Sequence, residues 1–205
     1  MNWYYSREYD YGAGIPGLPT EVHGFVLNKP TAIRDALVAS GAVEASGFAA
    51  PEPIAAADLR RVHDAALLAA LDDPVSVARA IELHEIAAFP AELVRAVVVA
   101  PQQSACGGTL AALRTAAAGG WAANLSGGYH HARRDLSHGF CLVNDVAVGL
   151  ARLRHEGVRR RVLIVDLDLH QGDGNALIFA GDDDVFTLSV HEEGIFPVPK
   201  AKSDL

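Results

Sequence analysis

Cysteine is scarce in this sequence of 205 residues, and apolar stretches long enough to span a membrane are missing. The two cysteines, Cys106 and Cys141, lie far apart and form no Cys-x-x-Cys pair, so the sequence predicts neither a disulfide framework nor a zinc knuckle. The first ten residues carry charge early and no apolar core, so we expect no signal peptide. No apolar run approaches the roughly 20 residues of a transmembrane helix. These absences favour the cytoplasm, a reducing compartment, and no membrane partner.

Positive charge is also in short supply. Lysine and arginine number 17 against 25 aspartates and glutamates, which gives a formal net charge of −8. Because an acidic chain is a poor nonspecific binder of the phosphate backbone, we expect no direct nucleic acid binding. The charge still permits a cationic substrate such as a lysine side chain. With 50% apolar residues, the length suits one globular α/β domain, and the oligomeric state is left open.

The stretch RVLIVDLDLHQGDG, residues 161–174, organises the rest of the chain. Its β-branched apolar run is typical of a strand buried on both faces of a parallel sheet. Asp166, Asp168 and His170 alternate along its C-terminal end, the edge of an open α/β sheet where ligands bind. A carboxylate and an imidazole at this spacing can reach one metal ion. The turn Gly172–Gly174 lets the backbone swing back sharply. A merely solvated strand end is the simpler alternative.

A second candidate segment is SGGYHHA, residues 126–132, which follows another predicted strand. Its tandem histidines, His130 and His131, should reach the same sheet edge, where Asp166 and Asp173 are available as partners. A histidine whose second nitrogen bonds a carboxylate has a fixed tautomer and a raised basicity. Two such dyads would supply a general base and an acid or electrostatic partner. The alternative is a polar surface loop or an incidental metal-binding pair.

Helices and strands alternate through the second half of the sequence, which predicts βαβ units and a parallel sheet. Helices are predicted over residues 31–40, 58–71, 76–85, 93–100, 108–118, 146–154 and 175–180, with a break at Pro101. Strands are predicted over residues 2–5, at the sheet edge, and over 121–125, 161–165 and 185–190. Residues 10–30 are rich in glycine and proline and predict a loop. His63 is interpreted as structural, and Arg133–Arg134 as a solvated turn.

Five blocks of the sequence resemble consecutive blocks of the zinc-dependent histone deacetylase superfamily: GGYHHA, GFCLVNDVAVG, VLIVDLDLHQGDGNALIF, VFTLSVH and IFPVPKAKSDL. The stretch GWAANLSGGYHHA is similar to the class IV branch and its bacterial relatives. The related arginase branch favours D-x-H-x-D, whereas here the acid after His170 is three residues on, at Asp173. The resemblance implies a doubly wound parallel α/β sheet with helices on both faces. It also implies that residues 1–205 form one catalytic domain that is incomplete at its C-terminus.

The resemblance implies a role for each candidate residue. Asp168 and His170 match two of three zinc ligands, and the tandem histidines match the catalytic pair. Asp166 stands behind His130 and Asp173 behind His131. The walls of the substrate channel match Gly139, Phe140 and Phe196. A monovalent cation site, for potassium, matches Asp166, Asp168, His170, Ser189 and Val190.

The activity that the resemblance implies is hydrolysis of an acyl amide, most simply ε-acetyl-lysine, with Zn²⁺ as cofactor. A histone tail, another acetylated protein, an acetylpolyamine and a fatty-acyl lysine all fit as substrates. The family's third zinc ligand and its transition-state tyrosine lie beyond residue 205. The alternative is therefore a fragment or truncated non-catalytic relative that acts as a binding module. Cys141 is the rival nucleophile, which we expect to be buried. We expect His131 to be the more basic histidine, because Asp173 has no cation that competes for it.

Overall fold

A computed structural model describes residues 1–12, 21–22 and 25–205, so part of the loop predicted over residues 10–30 lies outside the described residues. The strands are β1 Asn2–Tyr4, β2 Glu21–Val22, β3 Phe25–Val26, β4 Phe48–Ala49, β5 Ala122–Asn124, β6 Val162–Asp166 and β7 Val185–Ser189. The α-helices are α1 Lys29–Ala39, α2 Ala56–Leu59, α3 Ala65–Ala70, α4 Pro74–Ala80, α5 Ala91–Val94, α6 Ala100–Ala117, α7 Asp145–His155 and α8 Asp173–Ile178. Parallel strands and packed helices form an α/β arrangement, as predicted.

The first strand is central in its sheet, so the prediction of an edge strand over residues 2–5 is wrong. The order is β4–β1–β5, and all neighbours are parallel. Trp3 pairs with Phe48 on one side and with Ala123 on the other. The sequence around β1 cannot reveal that the strand is central, because its neighbour β5 lies more than half of the chain away.

The predicted helix over residues 93–100 is present, but the break expected at Pro101 is wrong. Helix α5 continues through a π-helical turn, Arg95–Val99, directly into α6. Proline has no N–H to give to the fourth carbonyl before it, which is that of Val97. That carbonyl instead accepts a hydrogen bond from the backbone of Gly12 at 3.0 Å.

The single helix predicted over residues 58–71 is wrong, because two short helices, α2 and α3, occupy this range. His63 lies between them and is only 3% exposed. Its Nε2 accepts from the N–H of Asn144 at 3.0 Å, so its Nδ1 carries the proton and donates to the carbonyl of Arg133 at 2.9 Å. These bonds satisfy both nitrogens of the buried imidazole. They agree with the interpretation of His63 as a structural residue.

The other predicted helices are present with shifted ends. The segment predicted over residues 76–85 ends early, at Ala80, because Glu82 adopts a left-handed conformation with φ 57°. The helices predicted over residues 31–40, 108–118, 146–154 and 175–180 correspond to α1, α6, α7 and α8. The strands predicted over 121–125, 161–165 and 185–190 correspond to β5, β6 and β7.

Strands β6 and β7 form a parallel pair in which Asp166 is opposite Ser189. Val162 and Ile164 pack against the hydrophobic core. Leu163 and Val165 point to the opposite face and are 59% and 53% exposed. The prediction of a strand buried on both faces is therefore wrong for the described residues, which cover only one face. None of the helices in the described part of the chain combines the length and apolar character needed to cross a membrane.

His63 makes the stability of the fold depend on pH. Burial lowers the pKa of His63 to about 4, against 6.5 for the free side chain. The unfolded chain therefore binds this proton at a higher pH than the folded chain. The free energy of unfolding is therefore highest above pH 6.5. It falls by roughly 3 kcal/mol as the pH drops to about 4. Urea unfolding across this range should show a smaller pH dependence for His63→Gln. Equal pH dependence in both proteins would contradict the assignment.

Candidate active site

The two histidines are placed by a glycine loop that wraps around a buried carboxylate. After β5, Gly127 and Gly128 adopt φ angles of 113° and 74°, which favour glycine. The N–H groups of Gly128 and Tyr129 then donate to Asp145 at 3.0 and 2.8 Å, and Thr109 Oγ1 donates to it at 2.6 Å. Asp145 begins α7 and is 1% exposed. Sequence analysis missed this anchor, because its partners come from other elements of the fold.

Each histidine contacts the carboxylate that the sequence suggested. His130 Nδ1 lies 2.7 Å from Asp166 Oδ2, and His131 Nδ1 lies 2.7 Å from Asp173 Oδ1. The two imidazole rings lie side by side, with centroids 4.1 Å apart. In both dyads the carboxylate occupies Nδ1, which leaves Nε2 for chemistry.

Gly172 is required for space and not for an unusual turn, which corrects the sequence interpretation. Its φ is −72°, an ordinary value for any residue. A Cβ added there would lie 2.1 Å from Asp166 Oδ2 and 3.2 Å from His130 Nδ1. A Cβ at Gly174 would similarly lie 2.5 Å from the carbonyl of His130. The glycines on both sides of Asp173 let the two carboxylates approach the histidine loop.

The order of basicity is the reverse of the one expected. Burial lowers the pKa of His130, but the hydrogen bond and charge of Asp166 outweigh it, and the net shift is upward. For His131, burial outweighs the hydrogen bond that its Nδ1 donates to Asp173, and the neighbouring His130 adds to the downward shift of the pKa. The expectation that Asp173 has no competing cation is also wrong. Arg133 donates to its other oxygen, Oδ2, from Nε at 2.9 Å and from Nη2 at 2.6 Å.

Asp173 therefore binds both His131 and Arg133. The prediction that Arg133 lies in a solvated turn is wrong. The carboxylate is 0% exposed. Burial raises its pKa, but the nearby His131, His138 and Arg133 side chains outweigh this and hold the pKa of Asp173 well below its usual range. The neighbouring Arg134 has a different environment, since it reaches the backbone carbonyls of Val62 and Ile178.

Asp168 and His170, the pair that the sequence suggested for a metal ion, lie beside the dyads. Asp168 Oδ1 and His170 Nδ1 are 3.2 Å apart. Two ligands of one tetrahedral zinc, each bound at about 2.0–2.1 Å, would be about 3.3 Å apart, so this pair fits. Both side chains are open to solvent, with 52% and 39% exposure. Within the described ranges, no group of three or more histidine, cysteine and acidic side chains is arranged to hold a metal.

The residues suggested for a monovalent cation lie close together at the end of β6 and β7. Asp166 is paired with Ser189, and the N–H of Val190 donates to the carbonyl of Asp166 at 3.0 Å. The hydroxyl of Ser189 is 2.9 Å from His191 Nδ1, so in this structure it is already engaged. The cation site stays a prediction.

A cavity of about 590 Å³ opens beside the dyads. Its lining includes His130, His131, Asp168 and His170. The ring of Phe196 packs edge-on against His131, with centroids 5.0 Å apart. A Cβ at Gly139 would lie 2.6 Å from His131 Cδ2 and 3.0 Å from Phe196 Cε1. Glycine at position 139 thus lets this wall of the cavity approach His131 and Phe196 closely.

Phe140, the opposite wall, is carried by a tight hairpin. His138 and Cys141 exchange backbone hydrogen bonds of 3.1 and 2.9 Å, while Gly139 and Phe140 between them have φ angles of 55° and 65°. Two successive positive φ angles define a type I′ turn, which phenylalanine seldom enters. The buried Gln102 holds the turn, because its Nε2 donates to the carbonyl of Phe140 at 2.8 Å. Sequence analysis did not identify Gln102, which lies in the predicted break after residue 100.

Cys141 is buried beside the channel, as expected, with 4% exposure. Burial raises the pKa of its thiol far above the ordinary value. The thiol donates to the carbonyl of Gly139 at 3.3 Å. A protonated, buried thiol is a poor nucleophile, so this environment disfavours Cys141 as the reacting group.

The left-handed conformation of Phe140 predicts an unusual order of stability. Alanine at this position would keep the strain and lose the ring, whereas glycine would lose the ring and relieve the strain. Phe140→Gly should therefore be more stable than Phe140→Ala by about 1 kcal/mol in chemical denaturation. The control is Leu177, an exposed residue of helix α8, where glycine should be less stable than alanine by about 1 kcal/mol. The same order at both positions would refute the strain.

Comparisons with known proteins identify relatives of this chain. The family model of the histone deacetylase domain matches residues 23–205. Histone deacetylase 2 of Arabidopsis thaliana is 34% identical over 94% of this chain and 49% of its own length. An uncharacterized protein of Picosynechococcus is 46% identical over 53% of this chain and 36% of its own length. The chain thus spans half or less of these two relatives.

The fold is shared with solved structures. A crystal structure of a deacetylase homologue from Aquifex aeolicus superposes on 99% of this chain and 56% of its own, with a TM-score of 0.71 and 23% identity. The HDA15 HD domain gives the same TM-score at 22% identity. These matches support the α/β fold of the arginase and deacetylase type that the sequence predicted. Together with the family model and the plant relative, they show that the chain belongs to the histone deacetylase family.

Proposed function

We propose that this chain is part of a zinc-dependent deacetylase that hydrolyses an acyl amide such as ε-acetyl-lysine. The observation that carries the proposal is the convergence of two histidine–aspartate dyads and the Asp168–His170 pair on one cavity. General acid–base groups beside a metal-binding pair are the parts that metal-assisted amide hydrolysis requires.

Asp168 and His170 would hold the zinc ion, which when bound supplies Lewis-acid polarisation of the acyl carbonyl and of a water molecule. Asp168 and Asp166 also lie beside the candidate potassium site with Ser189 and Val190. A potassium ion there would fix the end of β6, and with it the carboxylate that orients His130. The narrow walls, Phe140 and Phe196, suit a methylene chain with its acyl group at the inner end.

The two histidines have different proposed roles. His131 Nδ1 is held by Asp173, so Nε2 is free to accept the proton of the attacking water and later to donate it to the leaving amine. His130 Nε2 is 3.8 Å from Asp168 Oδ1, which places this ring beside the metal-binding pair. The pKa of His131 is lowered and that of His130 is raised, so His131 is more readily neutral and able to accept a proton. We therefore assign His131 as the main base and acid, and His130 as the electrostatic partner.

The chemistry common to the possible substrates is an acylated amine on an extended chain. A lysine side chain of a histone or another protein, a polyamine and a fatty-acyl lysine share it. The acidic net charge weakly favours cationic substrates over nucleic acid. Two free, buried cysteines suit the reducing cytoplasm, where we place the protein.

We further infer that residues 1–205 form the N-terminal part of one deacetylase domain. Leu163, Val165, Leu167 and Leu169 form an exposed apolar strip, each more than half exposed. Backbone hydrogen bonds join Leu205 to the outer side of β7, which extends the parallel sheet. Further strands and helices of the same domain would cover this strip and supply a third metal ligand.

A non-catalytic binding module is the second candidate. The observation in its favour is that the described residues supply two metal ligands, whereas catalytic zinc usually takes three from the protein. Such a relative would keep the channel and bind an acylated chain without hydrolysing it.

Zinc binding and acetate release separate these candidates. Calorimetric titration of the purified protein should detect zinc binding that Asp168→Ala abolishes. Zinc-loaded protein should release acetate from an acetyl-lysine peptide, and SAHA, the compound bound in a deacetylase homologue similar to this chain, should block the release. Peptide binding without acetate release would favour the binding module. Release that persists after zinc removal would exclude the proposed metal chemistry.

The division of labour between the histidines predicts unequal losses. His131→Ala should lower kcat by roughly 10²–10⁴-fold, because it removes the general acid–base, and His130→Ala should cost less. Each variant must retain the zinc content of the unmodified protein, measured by atomic absorption. The reverse order at equal zinc content would exchange the two roles and leave the deacetylase proposal intact.

A further inference from the structure

The buried carboxylate behind His131 depends on one surface residue. Asp173 presents Oδ1 to His131 and Oδ2 to the guanidinium of Arg133, whose Nε and Nη2 lie 2.9 and 2.6 Å from that oxygen. The Arg133 side chain is 30% exposed, whereas that of Asp173 is 0% exposed. The guanidinium therefore reaches inward from the surface to a charge that has no access to water.

No other described side chain forms a hydrogen bond with Asp173 Oδ2. The nearest candidate is His138, whose Nε2 is 3.3 Å away. That nitrogen is buried, yet it forms no hydrogen bond within the described part of the chain. Loss of the guanidinium would thus leave this buried carboxylate oxygen with His138 Nε2, 3.3 Å away, as its nearest remaining donor, and a buried carboxylate that loses donors is strongly unfavourable.

The backbone of Arg133 is as firmly placed as its side chain. Its carbonyl accepts the proton of His63 Nδ1 at 2.9 Å, and its N–H donates to the carbonyl of Leu136 at 2.9 Å. The guanidinium therefore approaches Asp173 from a fixed direction. A carboxylate held at Oδ2 cannot rotate away from the imidazole that it binds through Oδ1.

From this geometry we propose that Arg133 is a positioning residue for His131, which acts by fixing the Asp173 carboxylate. The proposal rests on the proposed function, in which His131 moves the proton. It adds a residue with no role in the family resemblance and assigns to Arg133 the orientation of the base. The side chain of its neighbour Arg134 donates to the backbone carbonyls of Ile178 and Val62 at 3.2 and 3.5 Å, and Arg134 serves as the control.

Removal of the guanidinium should lower turnover without weakening substrate binding. Arg133→Met should reduce kcat by roughly 10–100-fold, the usual cost of losing a supporting residue, with KM within about twofold. Arg133→Lys should recover part of the loss, because it restores a charged donor. Arg134→Met should leave both constants within about twofold. Zinc content is measured for every variant.

A double-mutant cycle tests whether the effect passes through Asp173. In an Asp173→Asn background, Arg133→Met should change kcat by less than about twofold, because the carboxylate that it fixes is already gone. An undiminished effect in that background would overturn the proposal and indicate a general structural role.

Proton NMR of the metal-free protein gives a readout that does not depend on activity. The Nδ1 proton of His131, shared with Asp173 at 2.7 Å, should give a downfield resonance that Arg133→Met shifts or broadens and Arg134→Met leaves in place. An unchanged resonance together with unchanged kcat would refute the positioning role. If the unmodified protein released no acetate, the proposed function would fail, and the resonance alone would still decide how Arg133 acts on His131.

Discussion

A charge buried away from water must be surrounded by hydrogen-bond donors, and two buried carboxylates impose this requirement on the whole site. Asp145 accepts hydrogen bonds from the N–H groups of the glycine loop, and Asp173 accepts them from His131 and Arg133. One carboxylate thus fixes the backbone of the histidine loop, and the other fixes a side chain that emerges from it. The cavity is built around these two anchors, because moving either would leave an unpaired buried charge.

The parts of the site that follow a local pattern were predictable from the sequence. The alternation of Asp166, Asp168 and His170 predicted that they lie together where β6 ends, and Asp168 and His170 do follow Asp166, the last residue of that strand. The tandem histidines were predicted to follow another strand, and they follow β5. The partners of buried polar atoms were not predictable, because they depend on which distant segments touch. Arg133 looks like any solvated arginine until Asp173, forty residues later, is placed beside it.

The wrong predictions of secondary structure have a similar origin. A proline predicts a helix break unless another segment satisfies the carbonyl that it leaves free, and the backbone of Gly12 does so for Val97. A short aromatic strand predicts a sheet edge unless later strands flank it, and β1 is flanked on both sides. In both cases tertiary contacts outweighed a correct local preference, as they commonly do for short elements.

Burial changes sharply across the cavity. On one side His131 and Asp173 are buried, and Gln102 holds the strained turn of Phe140, so the geometry is tightly fixed where we propose proton transfer. On the other side Asp168 and His170 are open to water, and Leu167 and Leu169, the residues between them, are 74% and 62% exposed. Apolar side chains that alternate with metal-type ligands favour burial by further protein. The half of the site around His131, where we propose proton transfer, is therefore preorganised by the described residues alone. The half around Asp168 and His170, the proposed metal ligands, would need an additional covering surface to reach the same rigidity.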